Sequence, residues 1–265
     1  MSLKPSVWTD RLYGRYKHEM ESLRLRFRTE TMPFLMKTIY KLPTTELSSI
    51  IPTDIPLEPP ILDDACLPPY HPLPPWAPQD KDHNDFDSLM KIVKAMQPSV
   101  VVELGTAYGN TVANICRQCP QTKVYTVNAP AEDQTGEVVT FELGRDEIGR
   151  VYKAYGFSDR VVQVFKNTLD LNLSEYFSQA IIDLAIIDAC HDTNYVINDF
   201  FKVKPYMRSQ GIVLFHDTHH CMAGHLFGSY MACMLLRSKG YDVRHIKNTW
   251  WGIWVNRTRT DKDDK

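Results

Sequence analysis

The sequence has no run approaching the roughly 18 apolar residues that a membrane span needs. Its first ten residues lack the apolar stretch of a secretory leader. Both absences lead us to expect a cytoplasmic protein that does not act at a membrane. An excess of charge of either sign is also missing. Thirty Lys and Arg stand against 32 Asp and Glu, a net charge of -2, so composition gives no reason to expect nucleic acid as a partner. No internal repeat is evident. A second cysteine pair is missing as well. Cys116 and Cys119 form a single C-x-x-C on a predicted helix, without the further ligands a structural zinc site requires. In a cytosolic chain the six cysteines are expected to be reduced.

What is present is ordinary for a globular protein: 43% hydrophobic and 23% charged residues over 265 positions. That length suffices for one large α/β domain and an appendage. We divide the chain into an arm at 1–81 and a main domain at 82–265. In the arm, Trp8, Leu12, Tyr16, Met20, Leu23 and Phe27 recur at steps of three and four, the mark of an amphipathic helix over 7–28. Its apolar stripe must bury against the main domain, a second copy of the chain or a substrate. A short second helix is expected over 33–41, with Pro33 in its first turn. Proline then recurs from Pro43 to Pro78 and excludes regular helix or central strand through most of that stretch. Its Ile, Leu, Tyr and Trp content suits an extended arm laid over the main domain, where it could form a wall of a pocket.

From Asp82 the pattern becomes regular. A helix is predicted at 85–96, and strands at 99–104, 123–128, 161–165, 182–188 and 211–216. Helices are predicted between them, near 108–118, 144–155, 172–179 and 193–208. Apolar strands alternating with helices predict a parallel sheet covered on both faces. A helix at 223–239 and two strands at 242–247 and 250–256 complete the expectation. The fold is α/β: a doubly wound, mostly parallel, seven-stranded Rossmann-like sheet with an antiparallel C-terminal hairpin.

The organising stretch is Val100 to Asn110, an apolar strand running through Glu103 into a loop with Gly105 and Gly109, then a helix. Glycines there let the backbone turn sharply and approach a ligand, and the helix N-terminus offers free N–H groups. A dinucleotide site calls for G-x-G-x-x-G with a pyrophosphate on the helix. Here the spacing is E-x-G-x-x-x-G, and Glu103 would repel a pyrophosphate. It suits a ligand with a cationic end, such as the amino group and sulfonium of S-adenosylmethionine. In open α/β sheets, ligands lie beyond the carboxyl ends of the strands. Those ends carry Glu103 and Gly105, Asn128, Asn167 and Thr168, Asp188, and His216 with Asp217.

Over residues 82–256 the chain resembles the class I S-adenosylmethionine-dependent methyltransferases. Within that class, Ile187 to Tyr195 and Phe215 to Thr218 are similar to stretches of the catechol and caffeoyl-CoA O-methyltransferases. The resemblance implies that Glu103, Gly105, Thr106, Tyr108, Gly109, Asn128 and Asp188 bind the donor. Asn128 stands where the family usually has an acid for the ribose hydroxyls. The resemblance also implies a divalent metal at Asp188, His216 and Asp217, with His191 in place of the family's lysine base. Histidine suits general-base chemistry near neutral pH, and His191, then His216, are the candidate bases. At position 216 a nitrogen donor replaces an oxygen donor, which turns preference away from magnesium. His219, His220 and His225 lie close by.

The expected activity is methyl transfer to an oxygen of a small, aromatic or polyketide-like secondary-metabolite acceptor. Two other readings keep the fold. One is a non-methylating cyclisation or lyase step that uses the donor site. The other is a non-catalytic partner subunit that dimerises through the N-terminal helix.

Overall fold

The structure, a computed structural model, describes residues 42–61, 85–133, 143–218 and 223–257, with side chains from 228 onward in the last segment. The frame is built on β2 (Val100–Leu104), β3 (Lys123–Asn128), β4 (Val161–Phe165), β5 (Ile182–Ile187) and β6 (Met207–Phe215). All five run parallel, as their near-continuous apolar sequences require once both faces are covered. Side chains alternate between the faces. Val101 packs with Leu89, Val93, Val112 and Ile115 of α1 (Asp85–Met96) and α2 (Asn110–Gln118). Val102 and Leu104 pack on the other face, with Val196, Phe200, Val203 and Leu236 of α4 (Thr193–Val203) and α5 (Ala223–Ser238). A short helix, α3 (Arg150–Ala154), joins the first face through Val151 and Tyr152.

The chain then closes with β7 (Arg244–Ile246) and β8 (Gly252–Val255). The last strand inserts antiparallel between β6 and β7. The arm contributes one more element, β1 (Thr44–Thr45), which pairs parallel with β7. The sheet order is β1-β7-β8-β6-β5-β2-β3-β4. From β2 the chain winds outward through β3 to β4. It then returns to β5 and winds the other way to β6. The crevice between β2 and β5 is therefore the switch point where ligands settle in such sheets.

The expected sheet is present, with one strand more than the seven predicted. Residues 172–179 are not a helix but a single 3-10 turn at Leu173–Glu175. The Asn172 side chain accepts from Ser174 N–H at 3.2 Å, a local bond that competes with helix formation. In 144–155 only Arg150–Ala154 is helical, because Gly149 sits in the left-handed region (φ 72°) and restarts the chain there. The sixth strand starts at Met207, earlier than predicted. The helices predicted over 7–28 and 33–41 lie outside the described residues, as do His219 and His220. Of the arm, Leu42, Ile51 and Ile61 are buried. Asn114 of α2 holds Ile61 by both backbone groups, accepting its N–H at 2.7 Å and donating to its carbonyl at 3.1 Å. Among the described residues no helix is long and apolar enough to cross a membrane.

Candidate active site

The loop after β2 is fixed before any ligand arrives. Gly105 N–H donates to Val127 carbonyl at 2.8 Å, and Asp188 N–H donates to Leu104 carbonyl at 2.8 Å. Gly105 has φ +111°, and a Cβ there would lie 2.1 Å from the Asp188 carbonyl oxygen. Only glycine allows the two strand ends to meet this closely. Further on, Gly149 and Val151 N–H groups donate to Ala107 and Tyr108 carbonyls at 2.9 and 3.0 Å. The Arg150 guanidinium lies 4.5 Å over the Tyr108 ring. Gly109, left-handed at φ 84°, begins α2 without a capping side chain, which leaves first-turn N–H groups for solvent or a ligand.

Two of the residues expected at the donor are buried beneath the loop. Glu103 is 2% exposed and Thr106 3%. Thr126 donates to Glu103 Oε2 at 2.6 Å. Its single proton is thereby spent, so Thr106 donates to Thr126 Oγ1, also at 2.6 Å. Gln163 Nε2 donates to Thr106 Oγ1 at 3.0 Å, and Tyr152 OH donates to Gln163 Oε1 at 3.2 Å. Four donors thus point in series toward one carboxyl, each polarising the next. Burial pushes the Glu103 carboxyl up to about 8, against the Thr126 hydrogen bond and with the Asp188 charge adding to the rise. Glu103 therefore keeps its proton at neutral pH.

Asn128, expected at the ribose, braces the loop. Its Oδ1 accepts from Ala107 N–H at 3.0 Å and its Nδ2 donates to Ala129 carbonyl at 2.8 Å. One acceptor site and one N–H remain on the amide for a hydroxyl.

At the ends of β5 and β6 the structure brings Asp188, His191, His216 and Asp217 together. His216 Nδ1 lies 3.0 Å from Asp188 Oδ1 and 3.4 Å from Asp217 Oδ1. His191 Nε2 lies 3.3 Å from Asp188 Oδ1 and 3.1 Å from Asp217 Oδ2. Neither contact of His191 Nε2 has hydrogen-bond direction: that atom and Asp217 Oδ1 are buried polar atoms without a hydrogen-bond partner. Asp217 sits at φ 58°, a left-handed conformation that is uncommon outside glycine and that gathers at functional turns. Asp188 and His191 are the more open members, while Asp217 is 3% exposed and His216 9%.

Asp85, at the start of α1, was not singled out in the sequence. It is 3% exposed. Its Oδ2 lies 2.8 Å from His216 Nε2, and its Oδ1 accepts Trp250 N–H at 2.6 Å. The Trp251 indole N–H donates to the Asp85 carbonyl at 3.0 Å, and its ring centre is 4.5 Å from that of His216. With both nitrogens engaged, His216 is a poor candidate for taking a proton from a substrate.

Burial disfavours the His216 cation, but the Asp188 and Asp217 charges and the hydrogen bonds to Asp188 and Asp85 outweigh it and raise its pKa well above the usual value. His191 follows the same balance: burial lowers it, Asp188 and Asp217 raise it more, and the net shift is upward. Burial also pushes Asp188 up, yet the charge of His216 and the polar contacts from both rings hold it far below the carboxylate range. Asp217 moves up, since burial exceeds the help from His216 and His191.

The resemblance implied a metal at Asp188, His216 and Asp217. The donor atoms that converge are those of Asp188, His191 and His216, all within 4.8 Å of one another. Asp217 falls outside that set. A metal fits the site, because the His191 nitrogen is buried beside two carboxylates with no hydrogen bond of its own.

Fold and site together define a doubly wound, Rossmann-like sheet with a glycine loop and an acid–histidine cluster at its switch point. Residues 102–218, less than half of the chain, match the family model described as a methyltransferase domain, in agreement with the class recognised in the sequence. The match runs from β2 to the turn after β6. It takes in the glycine loop and every member of the cluster except Asp85. Among solved structures the chain is similar to one described as a caffeoyl-CoA O-methyltransferase from Staphylococcus aureus, at 15% identity and TM-score 0.49, covering 64% of this chain and 81% of that one. It is also similar to the O-methyltransferase TomG from Streptomyces achromogenes, at 15% identity and TM-score 0.49, covering 64% and 78%. An O-methyltransferase from Bacillus cereus follows at 16% identity and TM-score 0.46, covering 64% and 79%. No curated protein matches the chain. The reading of substrate and cofactor rests on the residues themselves.

Proposed function

We propose that the chain transfers a methyl group from S-adenosylmethionine to an oxygen of a small aromatic or polyketide-like acceptor. One observation carries this reading: the backbone of Gly105 is pressed against that of Asp188. The glycine loop and the acid–histidine cluster therefore form a single continuous edge at the switch point. A donor on the loop would present its sulfonium methyl to an acceptor standing over Asp188 and His191. The positive end of the donor suits the neighbourhood of Glu103, whose proton would leave as the cation arrived.

The methyl of a sulfonium is already activated, so the protein's tasks are alignment and removal of the acceptor's proton. Alignment alone contributes as much as roughly 7–11 kcal/mol in well-oriented cases. The hydroxyl proton would pass to His191 at the accessible side of the cluster, or to solvent there when an ion occupies that nitrogen. Asp188, His191 and His216 would hold a divalent ion there, which when bound would supply Lewis acidity to the acceptor oxygen.

The test is calorimetric titration of the full chain with S-adenosylhomocysteine, followed by mass spectrometry of a phenol and catechol panel incubated with S-adenosylmethionine. Micromolar binding and a product heavier by one methylene support the proposal. No binding to well-folded protein would sink it. Donor binding with no methylated product would move the weight to a non-methylating step.

A further inference from the structure

We propose that the outer face of α4 and α5 is a docking surface for the chain's own N-terminal segment, the amphipathic helix expected over 7–28. The proposal is independent of the methyl-transfer reading.

The first argument is the composition of α5. Its sequence, AGHLFGSYMACMLLRS, contains Arg237 as its one Lys, Arg, Asp or Glu. A helix that is apolar all round belongs in a buried place. The inner side of α5 is buried: Tyr230, Ala232, Cys233 and Leu236 join the core on that side of the sheet. The outer side is not. Leu235 is 40% exposed, and Met231 and Met234 are only partly covered. On α4, Phe201 is 39% exposed, with the Tyr241 ring 5.8 Å away. The two helices meet as one platform, because Thr193 Oγ1 donates to Gly228 carbonyl at 3.2 Å. Apolar side chains on both helices therefore face outward together.

The second argument is where the arm enters. Residues 1–41 lie outside the described residues, and Leu42 is the first residue described. Its N–H donates to the Tyr230 hydroxyl of α5 at 2.8 Å, and its side chain joins the core cluster of Tyr230, Cys233 and Leu236. The chain then adds β1 to the sheet edge, and Ile51 and Ile61 pack on the opposite face. It crosses the edge after Leu42, so whatever precedes Leu42 arrives on the α5 side.

The third argument is fit. Trp8, Leu12, Tyr16, Met20, Leu23 and Phe27 make an apolar stripe that needs an apolar partner. A helix over 7–28 would be about 33 Å long and α5 is about 24 Å long, so one covers the other. Residues 29–41 would span about 20 Å even if wholly helical, enough to bring the stripe back over α5. A segment tethered this closely meets the face at an effective concentration on the order of millimolar, which favours it over a second copy of the chain.

The experiment uses the full chain. A photo-cross-linking phenylalanine analogue replaces Leu235, and hydrogen exchange is followed by mass spectrometry in wild type and variants. We expect cross-links within one chain, from position 235 to a peptide in 7–28. Phe201→Asp and Leu235→Asp should each speed exchange in 7–28 about 10-fold or more, and Leu12→Asp should do the same from the other side. Tyr155→Asp, an exposed aromatic on α3's end, should leave that exchange unchanged. Unaltered exchange in β2 and β5 checks that each variant is folded. Cross-links between chains would overturn the proposal in favour of a dimer. Exchange in 7–28 that is already fast in wild type, or that ignores Phe201→Asp and Leu235→Asp, would overturn it outright.

Discussion

Replacing Glu103 with Gln should flatten the pH dependence of stability between about pH 5 and 8. The carboxyl is 2% exposed, and its pKa rises from 4.5 to about 8. In the unfolded chain it gives up its proton near the lower value; in the folded chain it keeps it to the higher one. Between the two, the folded state binds the extra proton, so stability falls as pH rises. This contribution is fully present below 4.5 and lost as pH passes 8. The slope approaches about 1.4 kcal/mol per pH unit, giving a loss on the order of 3 kcal/mol at pH 7 and about 5 kcal/mol above pH 8. The amide introduced by Glu103→Gln would not titrate, and its carbonyl can still accept from Thr126. Urea unfolding of both proteins at half-unit steps from about pH 4 to 9 isolates the contribution of this carboxyl as a difference, because every other group is common to both. If the two curves run parallel within about 1 kcal/mol across pH 5–8, the raised pKa is wrong. A cationic ligand beside Glu103 must also expel the proton. Calorimetry of S-adenosylhomocysteine in two buffers of different ionisation enthalpy should then show proton release in wild type and none in Glu103→Gln.

Gly105→Ala should abolish donor binding and lower the melting temperature, because its Cβ would meet Asp188 backbone at 2.1 Å and at a φ of +111°; titration and thermal melting check both. Gly228→Ala should reduce turnover while sparing donor affinity. Its Cβ would fall 1.9 Å from the His191 carbonyl, displacing the loop that carries His191 but not the loop after β2; kcat against the dissociation constant for S-adenosylhomocysteine separates the two. Asn114→Ala should destabilise by about 2–4 kcal/mol, since it strands both backbone groups of Ile61 in a buried site, and limited proteolysis should then cut the arm near residue 61.

The sheet was legible because strands covered on both faces read as unbroken apolar runs, and Val100–Leu104 and Ile182–Ile187 do so almost without interruption. Where short polar side chains compete with the backbone, the periodicity misled. Asn167 and Asn172 each bond an N–H two residues on, and the helix expected at 172–179 gave way to a turn. The pairing of β1 with β7 was hidden for a different reason. Two residues directly after Pro43 carry no alternation, and their partners, His245 and Ile246, lie at the far end of the chain.

The site divides along the same line. Residues at strand ends were visible because topology places all such ends on one edge. The network under the loop was not visible, although a signal for it existed. Glu103 pairs with Thr126 across β2 and β3, and Thr126 pairs with Gln163 across β3 and β4. They form one polar row across three otherwise apolar strands. Once parallel register is assumed, a polar residue at the same level in three adjacent buried strands demands hydrogen-bonding partners, and the row supplies them for itself. Asp85 left no such trace. It opens a helix, where an acid has ample reason to be, and only the packing of α1 under β6 and the Trp250–Trp251 turn shows that this carboxylate faces His216.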